Sequence, residues 1–177
     1  MKERRYDTTV QLEPKQVIGA FLSTPRDGMR VKVTTVRFLK ERTIPGYQLH
    51  AVTFEDETGQ HHYGDFFLGQ DTTVTWHVSG AGWGENVPVR NQPWANLGGG
   101  GDGNVFYAGG YVSDNGLGVT LARLISNNGV VLEDTVENGM ILFLTNQNVE
   151  MPVQVELYNG ASELVGSHRA LPESGLP

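Results

Sequence analysis

The sequence contains no cysteine. Disulfide bonds, thiolate nucleophiles, iron–sulfur clusters and cysteine zinc sites are therefore excluded. For a small domain this favours a reducing, cytoplasmic compartment. Long apolar runs are also missing. The longest, residues 140–144, is far too short to span a bilayer. No apolar run follows the opening segment 1–7, so no secretory leader is predicted. Helical stripes are scarce, since no stretch of twelve residues repeats apolar positions at i, i+3, i+4 and i+7. Basic residues are outnumbered, with 13 Lys and Arg against 20 Asp and Glu and a net charge of −7. Such a surface repels polyanions, which argues against nucleic acid or a membrane as partner. Lys2, Arg4 and Arg5 form the one basic cluster, and they read as a solvated terminus.

Glycine is abundant, at 23 of 177 residues. Asn-Gly, the strongest short-range hairpin signal, occurs at 115–116, 128–129, 138–139 and 159–160. Each pair lies between β-prone runs, so the C-terminal half reads as consecutive hairpins. Segment 72–79 alternates, with Val74, Trp76 and Val78 on one face. Segment 151–158 alternates in the same way, whereas 140–144 is apolar on both faces and reads as a central strand. Segment 29–39 alternates with a change of phase, which predicts a bulge near Thr34 and Thr35. The expected fold is a single all-β domain over 1–177. An antiparallel β-sandwich of jelly-roll or immunoglobulin-like type is favoured, with a squat β-barrel as the alternative. Flexible termini are expected at 1–6 and 170–177.

Residues 80–103 form the least regular segment and read as one long loop. It holds eight glycines and two of the three tryptophans, Trp83 and Trp94. Loops of this length are uncommon in compact domains and are usually functional or disordered. As a recognition surface, the two indoles would stack on a carbohydrate or an apolar ligand. Arg90, Asn91, Gln92 and Asn96 would supply hydrogen bonds. The competing expectation is that the indoles fold back into the core and the loop is a lid. Residues 98–102 resemble a phosphate loop only in their glycines, because no Lys-Ser/Thr pair follows.

Segment 50–65 is rich in titratable groups. Pairing Glu55 with Gln60 across a four-residue turn sets His50 opposite Asp65, with Tyr63 and His61 on the same face. These three residues, His50, Asp65 and Tyr63, are the acid–base candidates. His61 and His62 point to opposite faces and cannot share a metal. No metal site and no cofactor is predicted.

The functional expectation is a non-enzymatic binding or interaction module, with a carbohydrate or protein ligand held by the glycine-tryptophan loop. Two alternatives stand beside it: a small β-barrel isomerase or cyclase acting on an apolar substrate, and a subunit of a homo-oligomeric assembly.

Overall fold

A computed structural model describes residues 11–26, 28–85, 90–101 and 104–171. One helix, α1 (Pro14–Ser23), precedes eleven strands: β1 (Arg37–Ile44), β2 (Tyr47–Glu55), β3 (His61–Gln70), β4 (Trp76–Gly84), β5 (Trp94–Gly101), β6 (Phe106–Ser113), β7 (Val119–Ser126), β8 (Val131–Thr135), β9 (Met140–Thr145), β10 (Val153–Asn159) and β11 (Leu164–Leu171). They form three antiparallel sheets, ordered β1-β2-β3-β4, β5-β6-β9 and β11-β10-β7-β8. The fold is therefore an all-β sandwich with little helix. Among the described residues the sheets share no hydrogen-bonded ladder, and no closed barrel forms.

The layering follows from side-chain parity. In β9, Ile141 and Phe143 enter a core with Leu124, Val155 and Leu157 of the β11-β10-β7-β8 sheet. Met140 and Leu142 point the other way, onto Leu49, Ala51 and Phe67 of the β1–β4 sheet. The three-stranded sheet is thus the middle layer, buried on both faces, as the doubly apolar run 140–144 requires. The outer face of the β1–β4 sheet carries Val52, Phe54, Phe66 and Leu68. It is covered by Ile18 and Leu22 of α1. This helix escapes a twelve-residue stripe search because it has ten residues. Its start is marked by Pro14 and by a reciprocal capping box between Glu13 and Gln16.

The Asn-Gly turns divide into two kinds. Asn128-Gly129 and Asn159-Gly160 close hairpins, β7–β8 and β10–β11. Asn115-Gly116 and Asn138-Gly139 form tight turns with both residues at positive φ. The strands beside them then diverge into different sheets. The expectation of consecutive hairpins is corrected at these two corners, because a turn fixes its own four residues and not the partner beyond them.

Further corrections concern strand limits. Segment 29–39 is no continuous strand, since Val33–Thr35 form a 3-10 turn and the bulge lies between Phe38 and Lys40. Val74 sits at positive φ in the β3–β4 turn, outside the alternating strand. The expected flexible tail begins too early. Ala170 and Leu171 are buried in β11, whereas 1–6 and 172–177 lie outside the described residues.

A buried ionic cluster joins all three sheets. Lys40 on β1 pairs with Asp134 on β8 at 2.7 Å, and both side chains are almost fully buried. Arg42 also binds Asp134, through Nε at 3.1 Å and through Nη2. The backbone N–H of Leu142 on β9 donates to Asp134 Oδ2 at 2.7 Å. Lys40 reaches Glu137 as well, at 3.2 Å. Every oxygen of Asp134 is thereby engaged, as a buried carboxylate needs.

Candidate functional site

The β2–β3 register decides which titratable residues can meet. Glu55 faces His61, and Ala51 faces Asp65. His50 faces Phe66. The expected His50–Asp65 pair is one residue out of register. The turn spans 56–60, with Asp56 accepting from the backbone N–H groups of Thr58 and Gln60 and from the Thr58 hydroxyl. These donors, with His62, hold the Asp56 carboxyl well below the usual range. A one-residue shift turns every side chain to the other face. His50 therefore lies on the α1 side of the sheet, bonded to Gln48 at 2.8 Å. Burial lowers its pKa, with Glu41 partly opposing. His62 shares that face and bonds Asp56 at 3.0 Å. Asp65 and Tyr63 lie on the inner face, toward the middle sheet.

Asp65 is the unusual group. Its residue is 8% exposed. Burial pushes its carboxyl pKa up to about 7, opposed only by a hydrogen bond with its own backbone. Among the described residues, no cation pairs with it. The residues around it are glycines. Gly82 is its cross-strand partner on β4, and Gly98 and Gly109 face each other across β5 and β6 in the middle sheet. A Cβ on Gly109 would come within 2.9 Å of the Asp65 Cβ. One on Gly82 or Gly98 would stand 3.4 or 3.7 Å from Asp65 Oδ1. The missing side chains leave a slot of about 280 Å³. Tyr63, Asp65, Asn96, Tyr111 and Met140 line it beside these glycines. The rings of Tyr63 and Tyr111 lie 4.6 Å apart and tilted by 48°. Tyr107, next along β6, stacks on Phe67 at 4.2 Å. Its phenol pKa is raised by burial and then by the charge of Asp65.

Much of segment 80–103 is strand, which corrects the reading of it as one loop. Trp83 lies on β4 and Trp94 on β5. Trp83 packs against the outer core that α1 covers. Trp83 also lines the slot, between Gly82 and Gly84. Trp94 stacks on His168 at 3.6 Å, with the Arg90 guanidinium 4.6 Å from the indole ring centre. His168 bonds the Ala95 carbonyl at 2.9 Å. Asn91 and Gln92 are exposed, while 86–89 and 102–103 lie outside the described residues. Of the expected site residues, the slot brings together Asp65, Tyr63, Trp83 and Asn96. His50, Arg90 and Trp94 stand elsewhere. Sequence reasoning missed Tyr111, Met140 and the slot glycines. The pattern of Gly98 alternating with Leu97 and Asn96, opposite Gly109-Gly110, was the available signal.

Among the described residues, no three His, Asp or Glu side chains converge as a metal site would require. Among the described residues, no helix is long and apolar enough to cross a membrane. No family, no curated protein and no solved structure matches this chain.

Proposed function

We propose that the chain is a binding domain that takes a small polar molecule into the slot between β3–β4 and the middle sheet, with Asp65 as its anchor. The observation that carries this reading is a buried carboxyl with no partner side chain among the described residues, at the wall of a cavity kept open by glycines. Desolvating such a group costs free energy that folding alone does not recover. Asp134, equally buried, shows how the same fold satisfies a carboxylate whose role is structural. The slot volume falls near the lower end of ligand pockets, which run from about 300 Å³ upward. A small molecule fits that space and a protein segment does not. The two tyrosines offer ring faces and hydroxyls, and Asn96 offers an amide beside them.

The test is amide NMR on the full chain, titrated with monosaccharides, small alcohols, amides and organic ammonium ions. At least one class is expected to move the Gly82, Gly98 and Gly109 amide signals in the native protein. The same class should leave them unmoved in Gly98→Val, which fills the slot and suits a strand. If no class moves them, the reading is wrong.

A second reading has one specific observation behind it. A carboxyl with a pKa of about 7 is tuned for proton transfer at neutral pH. Asp65 would then be the acid–base group of a small isomerase, with Tyr63 beside it and without His50. Turnover of a slot ligand, rather than its recovery unchanged, would favour this version.

A further inference from the structure

We infer that the slot ligand is a small organic ammonium ion, held by its positive charge against the Asp65 carboxylate and the Tyr63 and Tyr111 rings. The inference rests on the binding reading above and names the ligand class for that site.

The argument is one of charge. A neutral ligand entering the slot would displace water and leave the Asp65 carboxylate less solvated, with no counter-charge. A cation supplies that charge at the moment water leaves. No described side chain already does so. The groups facing Asp65 from each neighbouring strand are Ala51 on β2, Gly82 on β4, Gly98 on β5 and Gly109 on β6. The titratable groups near it are Tyr63 on its own strand, with Tyr107 and Tyr111 on β6. None of these is a cation.

The rings contribute a second feature. An ammonium group within about 6 Å of a ring centre is attracted by the π face, most strongly where it is desolvated. Tyr63 and Tyr111 both line the slot with ring centres 4.6 Å apart, which puts both rings within reach of one cation in it. The Met140 thioether adds a soft, polarizable wall without a competing charge. The net charge of −7 would raise the local concentration of cations around the whole domain. A metal ion fits less well, since Asp65 is the only carboxylate among the described residues lining the slot and hard cations gather several oxygens.

Binding should be coupled to proton release. The carboxyl must be ionised to hold the cation, and its pKa in the empty slot is about 7. Raising the pH from about 5.5 to about 8 should therefore tighten binding roughly 30-fold, following the ionised fraction.

The experiment uses the full chain and matched probes. Choline and propylammonium are compared with their uncharged isosteres, 3,3-dimethylbutan-1-ol and 1-propanol, by the glycine amide shifts. The ammonium probes should bind, with the predicted pH dependence, and the alcohols should not. Asp65→Asn should weaken ammonium binding by at least about tenfold. Gly98→Val, which leaves Asp65 in place, should abolish it by filling the slot. Alcohols or sugars binding as well as the ammonium ions would overturn the inference while leaving the binding reading intact. Ammonium binding indifferent to Asp65→Asn would also overturn it. Silence from every probe class would remove both.

Discussion

Two buried aspartates, Asp134 and Asp65, sit on either side of the middle sheet and live under opposite conditions. Asp134 touches Lys40, Arg42 and the Leu142 backbone N–H. Asp65 faces glycines and a cavity. Burial is nearly the same for both, at 4% and 8% exposed. What differs is the supply of partners. A carboxylate satisfied on all sides is part of the scaffold, and it ties strands of three sheets together. A carboxyl buried without a counter-charge has its pKa raised and stays available to a ligand.

The comparison breaks most visibly at Asp134. Asp134→Ala takes from the buried Lys40 ammonium its buried carboxylate and leaves it the half-exposed Glu137 and the Thr135 carbonyl, a loss of about 3 kcal/mol or more. The midpoint of thermal unfolding should fall by roughly 10 °C. Lys40→Met in the same background should recover part of that loss, because a buried charge left with only the half-exposed Glu137 as counter-ion is removed.

Asp65→Asn should act in the opposite direction. The folded pKa, about 7, lies above the unfolded value of 3.8. A carboxyl raised in this way favours the fold while protonated. Its contribution is fully present below pH 3.8 and is lost as the pH rises through 7. At about pH 8 the native protein therefore carries a penalty of about 2–4 kcal/mol that Asn removes. Chemical denaturation should show the variant more stable at that pH, with the gain vanishing near pH 4. A loss of stability at both pH values would place Asp65 among the structural carboxylates.

Filling the slot sharpens the contrast further. Gly98→Val should change stability by only about 1 kcal/mol, since its Cβ would stand at ordinary van der Waals distance, 3.7 Å, from Asp65 Oδ1. The ligand response of the glycine amides should nevertheless disappear.

The smallest effect belongs to His50. Its pKa is lowered by burial, so its contribution to stability is present above the unfolded value of 6.5 and is lost as the pH falls. His50→Gln should flatten the acid-side decline slightly in a pH series of unfolding curves. It should leave ligand binding untouched, because His50 lies on the α1 face of the sheet.

The sequence carries the all-β class and the central strand plainly, since Met140 through Leu144 leave no polar face. It also places Asp65 and Tyr63 on one face and singles out Asn96. It does not carry the strand register. Asp56 adds a fifth residue to the β2–β3 turn by capping it with its own side chain, and that moved His50 away from Asp65. The two cross-sheet Asn-Gly turns are silent for a related reason. Their local geometry is that of a hairpin turn, and only tertiary packing separates the strands that follow. The glycine segment misled most. A strand without side chains shows no periodicity, so 98–101 reads as loop. The space its glycines leave is taken by Asp65 and the slot, and those come from strands distant in sequence.

The most direct test is the titration of the Asp65 side-chain carboxyl carbon by NMR in the free protein. The account predicts a midpoint near 7. A midpoint near 4, the value of an ordinary aspartate, would mean that Asp65 is solvated or ion-paired, and would contradict the claim that the slot holds a desolvated carboxyl without a counter-charge.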